Sequence, residues 1–85
     1  MATPEELVSG IASRAELVEF IRELAIDLRD KPDGWENDSL ESYLEALAAW
    51  TQDMEGYLAN AGRDPTAEAS WRIFGEMLIA ARVYE

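Results

Sequence analysis

Trp35-Glu36-Asn37-Asp38-Ser39-Leu40-Glu41-Ser42-Tyr43-Leu44-Glu45-Ala46-Leu47-Ala48-Ala49-Trp50 is the stretch whose reading decides the fold. Asp38 precedes Glu41 by three residues, the spacing of a capping box. In that motif each side chain satisfies a backbone N–H that the first helical turn leaves unpaired. A helix is therefore predicted from Ser39. Leu40, Tyr43, Leu44, Leu47, Trp50, Met54, Tyr57 and Leu58 then recur at three- and four-residue steps, along one side of a 3.6-residue spiral. Glu41, Glu45, Gln52 and Glu55 fall on the other side. Ala46 and Ala49 lie between, small enough for a neighbouring helix to come close. Gly62 can take the left-handed conformation that stops a helix, so the element spans about 39–61. Asp33 and Glu36 form a competing pair that would start it one turn earlier and make Trp35 helical; the later start is preferred.

Moving towards the amino terminus, Ser13 and Glu16 repeat the capping signature. Leu17, Val18, Phe20, Ile21, Leu24, Ala25 and Leu28 form an apolar stripe before Pro32, which predicts a helix over 14–30. Its wet side is expected to carry Glu16, Glu19, Glu23, Asp27 and Asp30. Thr3-Pro4-Glu5-Glu6 combines a threonine cap, a proline at the first helical position and a glutamate at the third. This predicts a short helix over 4–9, ended by Gly10, with Leu7, Val8 and Ile11 folded back as a lid on the core.

Towards the carboxy terminus, Arg63-Asp64-Pro65-Thr66 reads as a tight connection into a last helix over about 67–84, starting near Thr66 or Ser70. Ten of its fifteen residues from Trp71 onward are apolar, too wide a stripe for one partner. This helix should lie between two others or offer a second face to another chain, and Gly75 suits close approach. No strand pattern or repeat appears. The predicted fold is all-α: a compact bundle of three main helices plus a short N-terminal helix, forming one domain over 1–85.

A chain of 85 residues has room for one core, and without cysteine that core must be held by apolar burial, for which a 48% hydrophobic composition is ample. Eighteen acidic residues against seven basic ones give a formal charge of −11. Nucleic acid and anionic membrane surfaces would be repelled, and a basic protein surface attracted. No segment has the length of a membrane span, and the start of the chain lacks a signal peptide's pattern, so a cytoplasmic location is expected.

With neither histidine nor cysteine, the usual general base, the thiol nucleophile and the common transition-metal ligands are missing. Carboxylate pairs such as Glu19/Glu23 or Asp27/Asp30 share a helix face. Acid–base work would need their pKa values pushed apart by burial. No calcium loop or glycine-rich phosphate cradle is present. No catalytic residue, metal ligand or cofactor is therefore assigned. Trp50 and Trp71 read as core. Trp35, in a turn, either caps the bundle over Leu40 and Leu44 or anchors a partner. The candidate partner-binding residues are Trp35 and the acidic line Glu16, Glu19, Glu23, Asp27 and Asp30. The expected function is non-catalytic binding of a basic protein, an immunity-like neutraliser being one version. A homo-oligomeric module built on the last helix is the alternative, and a carboxylate- or divalent-metal-dependent enzyme comes third. The chain is expected to be a monomer or homodimer.

Trp35-Glu36-Asn37, Leu40-Glu41, Tyr43-Leu44, Trp50, Tyr57, Ser70-Trp71, Phe74 and the closing Ala80-Ala81-Arg82-Val83-Tyr84-Glu85 carry a resemblance. In this spacing the chain, nearly throughout from Ser13 onward, resembles a small bacterial family catalogued only as a domain of unknown function, DUF7660. The resemblance implies a stand-alone bacterial domain and brings no activity or site residue with it.

Overall fold

Three serines start the three long helices. Ser13, Ser39 and Ser70 have extended backbone, and each side-chain oxygen accepts a backbone N–H from three residues on, at 3.2 Å from Glu16, 3.1 Å from Ser42 and 3.1 Å from Ile73. A computed structural model of the chain describes residues 3–64 and 70–84. Its elements are α1 (Pro4–Leu7), α2 (Arg14–Asp30), α3 (Leu40–Asn60) and α4 (Trp71–Ala80), with 3-10 turns at Val8–Gly10 and Pro32–Gly34. No strand occurs among the described residues, and the chain is an all-α bundle.

Helix α2 spans the range expected from its cap and from Pro32. Two other expectations need correction. The cap of α3 is Ser39, not Asp38, and its partner is Ser42, not Glu41, because the chain turns helical one residue later. The last helix ends at Ala80 and gives way to a turn, so it is shorter than 67–84; residues 67–69 lie outside the described part, as do Pro65 and Thr66 of the expected connection. Asn37 accounts for the fraying end. Its backbone N–H donates to the Arg82 carbonyl at 2.8 Å, and its side-chain amide donates to those of Ala81 and Tyr84 at 3.0 and 2.9 Å. A loop residue thus takes over carbonyls that a further helical turn would have used.

At the start of the chain, Thr3 and Glu6 complete the expected capping box. At the end of α3, Gly62 adopts φ +73°. Its N–H donates to the Ala59 carbonyl at 3.1 Å and the Arg63 N–H to that of Leu58 at 2.8 Å, the paired bonds of a Schellman turn.

Helix α4 packs against both α2 and α3, as its wide apolar stripe requires. A side chain at position 75 would place Cβ 2.5 Å from Ile11 Cδ1, so Gly75 is what lets the lid close on α4. The core gathers Ile11, Phe20, Leu24 and Trp35, with Leu7, Val8 and Leu17 packed on it. Helices α2 and α3, in contrast, barely touch one another. The far end of the α3 stripe is therefore uncovered: Leu40 is 74% and Leu44 52% exposed, where periodicity had placed them in the core.

Candidate protein-binding groove

The gap between α2 and α3 is an open groove of about 390 Å³. Ile21, Ala25 and Leu28 of α2 form one wall and Leu40 of α3 the other, while Trp35, Tyr43 and Leu78 lie beneath. The loop Asn37-Asp38-Ser39 closes one end. Apart from that loop, every residue on this surface is apolar or aromatic.

The floor is held rigidly from behind. After the Pro32–Gly34 turn, the Trp35 N–H donates to the Pro32 carbonyl at 2.9 Å, which swings the indole back over the bundle. Its ring N–H donates to Asp27 Oδ2 at 2.8 Å, and its face stacks on Tyr43 with 5.8 Å between centroids. The Arg82 guanidinium stands 5.8 Å from the indole centroid, donates to Asp27 at 3.2 Å and meets Glu5 at 2.9 Å. Tyr43 in turn donates to the Leu78 carbonyl at 2.6 Å. Burial pushes the Tyr43 hydroxyl above its usual range, partly offset by Arg82.

A second polar cluster lies away from the groove. Glu76 is 4% exposed and accepts two bonds from the Arg63 guanidinium, at 2.5 and 3.0 Å, and one from the Tyr57 hydroxyl at 2.9 Å. Arg72 approaches at 3.8 Å. Fully engaged in this way, Glu76 serves to join α3 to α4.

The six partner-binding candidates do not form one surface. Trp35 is 8% exposed and is a floor, not a projecting anchor. Glu16 accepts from Ala12 N–H and Ser13 Oγ at the start of α2, and Asp30 pairs with Arg29 at 3.0 Å. Asp27 is an internal ligand of Trp35 and Arg82, which corrects its place on the wet side. Glu19 and Glu23 retain their expected outward position, exposed and half-buried respectively. The carboxylates fall into two groups, Glu16 and Glu19 beside Glu6 on one shallow cleft and Glu23, Asp27 and Asp30 beside Lys31 on another, and no group of three acids able to hold a metal ion occurs among the described residues. No described helix is long and apolar enough to cross a membrane.

The groove residues themselves were readable only as core. Their periodicity marks a buried face, and the one available signal, a stripe on α3 longer than α4 can cover, does not say which end is left bare.

A family model described as a family of unknown function, DUF7660, matches residues 13–85. No curated protein and no solved structure matches the chain.

Proposed function

We propose that this chain, which belongs to the DUF7660 family, is a non-catalytic protein-binding domain that seats an apolar segment of a basic partner in the groove between α2 and α3. The observation that carries this reading is the groove itself, an apolar trough with a fixed aromatic floor and a wall residue, Leu40, 74% exposed. Large exposed apolar surface on a small domain marks an interaction site more often than an accident of packing. Charge supports the choice of partner. A molecule carrying −11 gathers cationic proteins, and the Asp38 carboxylate stands at the closed end of the trough. An immunity-type neutraliser of a cationic enzyme is one form such a domain takes.

The experiment is a nuclear magnetic resonance titration with a synthetic helical peptide of leucine and lysine. Shifts should concentrate at Ile21, Ala25, Leu40 and the Trp35 indole, and Leu40→Glu should remove them while the fold persists. Shifts scattered over the acidic faces and indifferent to Leu40→Glu would refute the assignment.

A homo-oligomer built on α4 is the second reading. Trp71 and Phe74, 36% and 38% exposed, meet edge to face at 6.1 Å on the part of α4 that α2 and α3 leave bare. Sedimentation showing a monomer at high concentration would dispose of it.

A further inference from the structure

Resting on the groove as the binding surface, we infer that its occupant is an amphipathic helix of a partner protein, with a cationic edge laid towards α3 and an anionic edge towards α2. Helix α4 contacts both α2 and α3, which barely touch each other, so the trough between them occupies the place of a fourth helix in a bundle. Leucines spaced three and four residues apart on an incoming helix would fill it, as side-chain ridges fill grooves between helices. The rival peptide-binding mode, addition of a strand to a sheet edge, has nothing to build on, because no strand exists among the described residues.

The two rims carry opposite charge. On α2, Arg22 and Arg29 stand three residues before and four after Ala25, which places both exposed side chains just outside that wall. On the α3 side, Asp38 lines the trough two residues before the wall residue Leu40 and Glu41 follows it by one, and both are exposed. Neither rim cation is held by a buried carboxylate, as others are. Arg63 and Arg72 serve Glu76, and Arg82 serves Asp27 and Glu5. Arg29 donates to its exposed neighbour Asp30 at 3.0 Å, a pair that solvent weakens, and Arg22 forms no ion pair among the described residues. At physiological salt, charges more than about 8 Å apart are largely screened. The rims, not the net charge, then decide which helix edge is preferred.

The test uses three synthetic peptides of about eighteen residues with the same leucine stripe. One has a lysine edge and a glutamate edge, one has two lysine edges and one has two glutamate edges. At about 0.15 M salt the mixed peptide should bind roughly three- to tenfold more tightly than the double-lysine one, the effect of one or two exposed pairs. The double variant Arg22→Glu/Arg29→Glu, altered only at exposed positions, should reverse that order. If the double-lysine peptide leads with both proteins, the two-edged helix is wrong although the groove stands. If no peptide binds, or binding survives Leu40→Glu, the groove assignment itself fails. Dimers of the free protein that Leu40→Glu dissolves would make a second copy the occupant and overturn the inference.

Discussion

The indole N–H of Trp35 donates to Asp27 at 2.8 Å, and the same carboxylate oxygen accepts from Arg82 at 3.2 Å, so one side chain of α2 fixes both the groove floor and the end of the chain. The two contributions can be separated. Trp35→Phe keeps most of the buried ring and removes only the donor, leaving Asp27 its arginine; a loss of about 1 kcal/mol is expected. Asp27→Ala strands the indole N–H and leaves the Arg82 guanidinium, 14% exposed, with Glu5 and the Ile79 carbonyl as its remaining partners, and should cost about 2 kcal/mol. Urea unfolding measures both, and equal losses would contradict the shared role given to Asp27.

Glu76 and Arg63 make the complementary case, because their burial is unequal: the side chains are 5% and 26% exposed. Arg63→Ala leaves a buried carboxylate with one hydroxyl and a distant Arg72, and should cost about 3 kcal/mol. Glu76→Met removes the charge and lets Arg63 reach water, so about 1 kcal/mol is expected. The double variant should recover part of the Arg63→Ala loss. Thermal or urea unfolding checks the order, and Glu76→Met proving the more damaging would reverse this account.

Local signals were legible in the sequence and long-range ones were not. The cap at Ser13 and the break at Pro32 delimit α2, and the over-wide stripe of α4 foretells its place between two helices. Charge alone assigns Asp27 to the wet face. Counting about 100° per residue puts it beside Phe20 and Leu24, yet the partner that makes this tolerable, Arg82, is 55 residues away. Glu76 is similar, lying among Ile73, Met77 and Ile79 and needing Arg63 and Tyr57 from elsewhere. Leu40 and Leu44 have the right period for a core, but period identifies a face without saying whether anything covers it. That missing cover is the groove.

Gly75 gives a test of close packing. Replacing it with alanine gains roughly 1 kcal/mol of helix propensity but drives Cβ to 2.5 Å from Ile11 Cδ1, with Val8 and Phe20 also at contact distance. Ile11 is 5% exposed and has little room to turn aside, so Gly75→Ala should be destabilising by about 1 kcal/mol net. Ile11→Val deletes the clashing methyl group. Calorimetry should find Gly75→Ala less harmful in the Ile11→Val background than alone; strict additivity would mean that the two do not touch.

Alkaline pH should expose the two tyrosines that join helices. Burial pushes the hydroxyls of Tyr43 and Tyr57 above their ordinary value of 10.0, and for Tyr57 the hydrogen bond to Glu76 and its charge add to the shift. The folded state therefore holds these protons more tightly than the unfolded chain does. The stability they confer is complete below about pH 10 and is lost as pH rises through the raised values, when a phenolate can no longer donate to Leu78 or Glu76. Tyr57 is 42% exposed, so solvent weakens its share and Tyr43 carries more. Tyr84 is pushed in the same direction by its bond to Asp53, but on the surface it should add little. Urea unfolding between about pH 8 and pH 11 should give a plateau followed by a decline. Tyr43→Phe should lower the plateau and flatten the decline, and Tyr57→Phe should do so less. A decline of undiminished slope in both variants would place the responsible protons elsewhere.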